Sequence, residues 1–160
     1  MAKSVLFVCL GNICRSPAAE GVLKKRVADR RLDGAIRVDS AGTTAYHVGE
    51  LPDARMRDAG SCRGYTFDSR ARAFTPRDLE RFDLIVPMDR DNQQDILAAA
   101  TTRAQRGRVQ LLSAFLSDGF PPDVPDPYYG GAAGFERVLD MVETAADPII
   151  EHLLREPGDR

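Results

Sequence analysis

The chain has 160 residues, 43% of them hydrophobic and 29% charged, with a formal net charge of −2. That is the length of one ordinary domain with enough apolar material for a core, and it excludes a disordered chain. The near-neutral balance argues against a nucleic-acid binder, and no run approaches the roughly 18 apolar residues that span a bilayer. Arginine outnumbers lysine, but the arginines are scattered and matched by acids, which reads as solvated faces.

In chain order, Val5-Leu6-Phe7-Val8 is a short apolar run closed by a glycine turn, as a buried strand should be. It is too short for a signal sequence and no small-residue cleavage site follows it, so a cytoplasmic location is expected. Ala19, Val22, Leu23 and Val27 recur at helical spacing. Residues 35–40 give a second strand around Ile36 and Val38. A short helix is expected to start near Pro52 and stop before Gly60, and Thr75 with Pro76 reads as another helix start. Leu84-Ile85-Val86 makes a third strand. Asp89 follows as the cap of a helix to about Ala100. Residues 109–112 read as a fourth strand, and a long helix carries Phe135, Val138, Leu139, Val142, Ile149, Leu153 and Leu154, with a kink expected near Pro148. With no repeat, linker or shift in composition, one domain over residues 1–160 is expected. It should be an α/β fold with a four-stranded parallel sheet covered by helices on both faces, and ligands should bind beyond the carboxyl ends of the strands.

Cys9 stands at such an end. The stretch Cys9-Leu10-Gly11-Asn12-Ile13-Cys14-Arg15-Ser16-Pro17 lies between a strand and a helix, where successive backbone N–H groups can wrap an anion and the helix dipole favours negative charge. Gly11 and Asn12 are residue types that tolerate left-handed backbone angles. Arg15 can grip two phosphate oxygens with its planar fork. Cys-x5-Arg pairs are common by chance, and a buried strand-end cysteine beside a surface arginine is the bland alternative. The strand–loop–helix context, the Gly-Asn pair and the closing Ser-Pro argue against it. No Gly-Lys-Ser/Thr element follows, which excludes the nucleotide-binding loop.

A free thiol with a pKa of ~8.5 is only a few per cent thiolate at neutral pH, and lowering that value to ~5 gives about thirtyfold more nucleophile, or ~2 kcal/mol of barrier. Phosphate monoesters demand far more, so the amides and Arg15 must supply the larger share by stabilising the equatorial oxygens. Ser16 can either donate to the thiolate or cap the helix. A thiolate also needs a proton donor to expel an alkoxide or phenoxide. The long segment 113–131 holds Asp126-Pro127-Tyr128-Tyr129. Asp-Pro by itself is usually a turn opener, but beside a phosphate loop that lacks an acid, Asp126 becomes the candidate. Tyr128 and Tyr129 can wall the pocket.

The cysteines, Cys9, Cys14 and Cys62, are odd in number and do not make a disulfide framework. His47 and His152 lie far apart without ligand spacing. Neither a metal nor another cofactor is expected.

Over essentially its whole length the chain resembles the low-molecular-weight protein tyrosine phosphatases. The likeness rests on residues 8–17, on Asp39-Ser40-Ala41-Gly42, and on Asp126-Pro127-Tyr128-Tyr129. It implies a four-stranded parallel sheet, with Cys9 as the nucleophile that forms a phosphocysteine, Arg15 as the phosphoryl clamp and Asp126 as general acid and then base. Asn12 and Ser40 match the pair that holds the loop, and Leu10, Tyr46 and Tyr128 match wall positions. Cys14 matches the cysteine that can pair with the nucleophile under oxidation. The implied partner is a phosphotyrosine-containing protein rather than nucleic acid or membrane, with a monomer as the expected state. Two departures stand out: Ser69, where relatives often carry a histidine in the loop-supporting network, and His47 at the rim. Thioredoxin-coupled arsenate reductases share the fold but need more resolving cysteines than Cys62 supplies. Arginine phosphatases carry threonine where this chain has Ile13. A non-catalytic phosphate binder would be expected to have lost Cys9, Arg15 or Asp126.

Overall fold

The computed structural model describes residues 2–155. Strand β1 (Lys3–Cys9) lies at the centre of a parallel sheet, between β2 (Ile36–Gly42) and β3 (Leu84–Pro87). Val5 pairs with Val38 on one side and with Leu84 on the other, and Cys9 ends level with Gly42. A central strand buried on both faces has to be apolar at every position, which is why Val5 to Val8 reads as a continuous run.

Side chains alternate across the sheet. Val5, Phe7 and Cys9 point into the larger core, where they meet Ala19, Val22 and Leu23 of helix α1 (Arg15–Asp29). Val138, Leu139 and Val142 of the long C-terminal helix close the same core. Leu6 and Val8 enter a smaller core with Leu79, Phe82, Ile85 and Ile96. Each fully buried Leu, Val or Phe contributes about 1.5–3 kcal/mol. Both faces of the sheet are covered, so a site that reaches the strands themselves has to open at their ends. Arginines on the flanks meet acids, as with Arg26 and Arg30 against Asp147 and Glu151.

Four expectations are corrected. Among the described residues the sheet has three strands, not four: residue Val109 makes only an isolated parallel bridge to Ile85. Ile85 N–H donates to Arg108 and Gln110 N–H donates to Ile85. The next rung would need an N–H from residue 87, which is Pro87, so the ladder stops there. The chain instead coils into a 3₁₀ turn (Leu112–Phe115) that buries Leu112 in the larger core.

Helix α2 (Ala54–Cys62) is capped by Asp53 rather than started by Pro52, and it runs through Gly60. Gly60 and Gly21 flank the Phe67 ring, where a Cβ on either would come to 2.3 Å of it. This glycine therefore answers packing, not helix termination. Helix α3 (Asp78–Arg81) uses no threonine cap; the Asp78 carboxylate reaches back to Thr75 N–H. Helix α4 (Arg90–Ala99) is capped by Asp89 as expected. A short α5 (Arg103–Gly107) follows, and α6 (Ala132–Arg155) continues as one helix through Pro148. Among the described residues no helix is long and apolar enough to cross a membrane.

Candidate active site

The loop between β1 and α1 lies at the carboxyl end of the sheet. Asn12 takes a left-handed φ of 58°, whereas Gly11 does not. Gly11 instead permits close approach, because a Cβ there would meet the His47 ring at 3.0 Å. Gly42 is required for a similar reason: its Cβ would fall 2.9 Å from the Leu10 carbonyl oxygen.

Asn12 holds the loop with its whole amide. Its Oδ1 accepts from Arg72 N–H at 3.0 Å, which orients the group and sends both Nδ2 hydrogens inward. One goes to Ser16 Oγ at 2.8 Å and the other to Ser40 Oγ at 2.9 Å. The Arg72 backbone is itself steadied, since its guanidinium is pinned by Asp39 and Asp78. Ser40 donates onward to the buried Glu20 at 2.5 Å, and Lys24 satisfies the other Glu20 oxygen. Ser16 Oγ lies 3.0 Å from Cys9 Sγ and 3.4 Å from the Ala41 carbonyl oxygen; either partner can donate between oxygen and sulfur while Cys9 is a thiol, and only the Ser16 hydroxyl can once Cys9 is a thiolate. The two roles open to Ser16 are thus separated. It serves the sulfur, and α1 has no side-chain cap.

Arg15 is 3% exposed. Its Nη1 donates to Asp89 Oδ2 at 2.6 Å and to the Val124 carbonyl at 3.1 Å, and its Nη2 lies 3.7 Å from Asp126 Oδ2. Burial works against its charge, but the charge on Cys9 and the Asp89 hydrogen bond outweigh that, and the guanidinium is held above its ordinary pKa. Burial, with the nearby charges of Asp53 and Cys9, pushes the Cys14 thiol up to about 12, so it stays protonated at neutral pH.

The acid-bearing segment arches over this loop. Its first half is tied down by Arg90, which grips Asp123 with Nε and Nη2, and by Val124 N–H on the Met88 carbonyl. In its second half Tyr128 N–H donates to Asp126 Oδ1 at 3.1 Å, and the Tyr128 carbonyl accepts from Arg55 at 3.1 Å. The Asp126 side chain is 37% exposed and borders a cavity of about 380 Å³ with Cys9 and Arg15 at its inner end. Tyr46 and Tyr129, 82% and 92% exposed, stand at the mouth.

A sequence model of the family described as low molecular weight phosphotyrosine protein phosphatase matches residues 4–158. The chain belongs to this family.

A Synechocystis relative described as a putative low molecular weight protein-tyrosine-phosphatase is 45% identical over 152 residues, which is 95% of this chain and 97% of the relative. A protein tyrosine phosphatase from Entamoeba histolytica, solved with Hepes in its active site, is similar with a TM-score of 0.91 at 42% identity, over 96% of this chain and 97% of that one. A Drosophila arginine phosphatase is similar with a TM-score of 0.85 at 32% identity, over 95% of this chain and 98% of that one.

In this phosphatase the residues marked by sequence gather as one site. Cys9, Leu10, Gly11, Ile13, Cys14, Arg15, Tyr46, Asp126, Tyr128 and Tyr129 line the cavity, and Asn12, Ser16 and Ser40 stand behind it. His47 also lines it, bonded to Glu50. Sequence reading missed four residues. Asp89 was legible as a helix cap, but its second oxygen holds Arg15. Its place just past a parallel strand was the available signal. Glu20 was marked by being an acid on the buried stripe of α1, three residues before Leu23. Arg72 acts through its backbone and left no signal. Arg55 left no signal either, because its contact with the site is to the Tyr128 carbonyl, 73 residues away. The bracing expected to differ at Ser69 is supplied by Glu20 and Lys24; Ser69 lines a separate cavity beside them.

Proposed function

We propose that this phosphatase hydrolyses phosphotyrosine on protein substrates in two displacements at phosphorus. Cys9, as the thiolate, attacks in line. The sulfur–phosphorus bond forms as the phosphorus–oxygen bond breaks, and Asp126 gives its proton to the departing phenolic oxygen. With Oδ1 occupied by Tyr128 N–H, that proton belongs on Oδ2, the oxygen nearer Arg15. Asp126 then takes a proton from water, which attacks phosphorus and releases inorganic phosphate and the Cys9 thiolate. The Ser16 hydroxyl stabilises that thiolate before attack and on departure.

Asp89 and Val124 hold one end of the Arg15 guanidinium, leaving Nε and Nη2 for the phosphoryl oxygens. Donors aimed at developing charge in this way are each worth about 3–4 kcal/mol, more than the ~2 kcal/mol gained from thiolate supply. The observation that carries the reading is that Cys9, Arg15 and Asp126 converge on one cavity whose mouth is aromatic.

Phosphoarginine is the second reading, because the fold is shared with an arginine phosphatase. Ile13 favours the tyrosine ester: it puts an apolar side chain in the cavity wall, where an aromatic ring packs and a guanidinium does not. The test compares phosphotyrosine, phosphoserine and phosphoarginine peptides. Turnover of phosphotyrosine alone, unaffected by chelators and competitively blocked by phosphate or vanadate, is the expected result. Preference for phosphoarginine would overturn it. Action as a monomer on cytoplasmic phosphoproteins completes the reading, with sedimentation and cell fractionation as its checks.

A further inference from the structure

Arg55 stands outside the cavity and touches neither Cys9 nor Arg15, yet its contacts join the two halves of the site. Asp53, at 12% side-chain exposure, grips it through both carboxylate oxygens, at 3.0 Å to Nε and 2.9 Å to Nη2. The hydrogen bonds from Arg55 hold that carboxyl below its usual range against the effect of burial. The guanidinium lies over two rings, 5.4 Å from the centroid of Tyr128 and 4.8 Å from that of Phe135 on α6. Its Nη2 also donates to the Tyr128 carbonyl.

Two backbone links make this arrangement consequential. On one side Asp53 N–H donates to the Ile13 carbonyl at 2.7 Å, so the ion pair is fastened to the nucleophile loop. On the other, the residue whose carbonyl Arg55 holds is the one whose N–H holds Asp126 Oδ1. The path runs from Ile13 through Asp53, Arg55 and Tyr128 to the carboxyl group, with a geometric contact at every step.

Resting on the reading of Asp126 as the acid, we propose that Arg55 is a positioning residue for Asp126: through Tyr128 it sets where the acidic oxygen stands relative to the phosphate loop. A planar fork suits the task because one group must satisfy a carboxylate bidentately, meet a carbonyl and lie across aromatic faces. A lysine offers a point charge and cannot do all three.

The test measures kcat/KM for phenyl phosphate, a poor leaving group, and 4-nitrophenyl phosphate, a good one, in the parent, Arg55→Ala, Asp126→Ala and the double variant. Arg55→Ala is expected to lose about tenfold with phenyl phosphate and less than about twofold with 4-nitrophenyl phosphate. In the Asp126→Ala background it should cost nothing further, and the inhibition constant of inorganic phosphate should be unchanged. Arg55→Lys should resemble Arg55→Ala, and it carries the test if the alanine variant does not fold. Equal loss with both substrates, or a full additive loss on top of Asp126→Ala, overturns the positioning role while leaving Asp126 as the acid. If Asp126→Ala itself slows both substrates equally, the acid assignment falls and the Arg55 proposal with it.

Discussion

The nucleophile loop and the acid loop close the same cavity but are held by different physics. Around Cys9 the restraints are short hydrogen bonds between buried groups: Asn12 to Ser16, Ser40 and the Arg72 amide, and Ser16 to the sulfur. Asn12, Arg15, Ser16, Glu20 and Ser40 are all buried. Around Asp126 they are mainly arginines on partly exposed groups, the Arg90 fork on Asp123 and Arg55 Nη2 on the Tyr128 carbonyl, with the buried Val124 backbone as the anchor behind them, bonded to Met88 and Arg15. A buried network is costly to break and holds a fixed geometry, which suits donors that must match a transition state. Exposed ion pairs contribute little and re-form readily, which suits a segment that must admit a substrate and release phosphate. The division of labour teaches that stability and phosphate binding reside in the first loop and leaving-group chemistry in the second.

Substitutions should separate the two loops. Cys9→Ser should abolish turnover, by about 10⁴-fold or more, with good and poor leaving groups alike. Mild peroxide should also stop activity completely, but reversibly. Peroxide oxidises the Cys9 thiolate to the sulfenic acid and leaves as hydroxide; the Cys14 sulfur, giving up its proton, displaces the oxygen as water, and dithiothreitol reduces the resulting disulfide back to the two thiols. Non-reducing mass spectrometry checks the bond, and irreversible loss with Cys14 intact contradicts it.

Asp126→Ala should cost about 10²–10³-fold with phenyl phosphate, far less with 4-nitrophenyl phosphate, and leave thermal melting nearly unchanged. Asn12→Ala should do the opposite. It strands Ser16, Ser40 and the Arg72 amide, lowers kcat/KM for both substrates, and destabilises the fold by about 2–3 kcal/mol, a fall of roughly 5–10 °C in Tm. If Asn12→Ala melted like the parent, the first loop would not be the rigid half. At the small end, Arg90→Ala should change kcat/KM by less than about twofold, and only at low salt, since Arg90–Asp123 is an exposed pair.

Much of the first loop was legible because its chemistry is local. Cys9, Asn12, Arg15, Ser16 and the Ser-Pro entry to α1 lie within nine residues, and loop geometry follows from neighbours along the chain. Asp126 was legible as an acid on a long loop where a cysteine nucleophile lacks one, and through the family resemblance of residues 126–129. The fourth strand was misread because residues 109–112 have strand character, while what limits their pairing is Pro87 on another strand. Gly60 was misread because a helix-end signal and a packing requirement look alike until Phe67 is in place.

By itself, then, the sequence marked the buried first strand of a parallel sheet, the anion-binding loop after it, and Cys9, Arg15 and Asp126 as the candidate nucleophile, clamp and acid. Residue type and short spacing sufficed for the strand, the loop, Cys9 and Arg15, whereas Asp126 lies far along the chain and needed the chemistry of the loop to mark it. Only the tertiary structure decided who holds whom: Asp89 on Arg15 across 74 residues, the Arg72 amide on Asn12 across 60, and Arg55 on Tyr128 across 73. Such partners lie far apart along the chain and meet only because parallel strands bring their carboxyl ends to one edge. One of them works through a backbone N–H that no residue type announces.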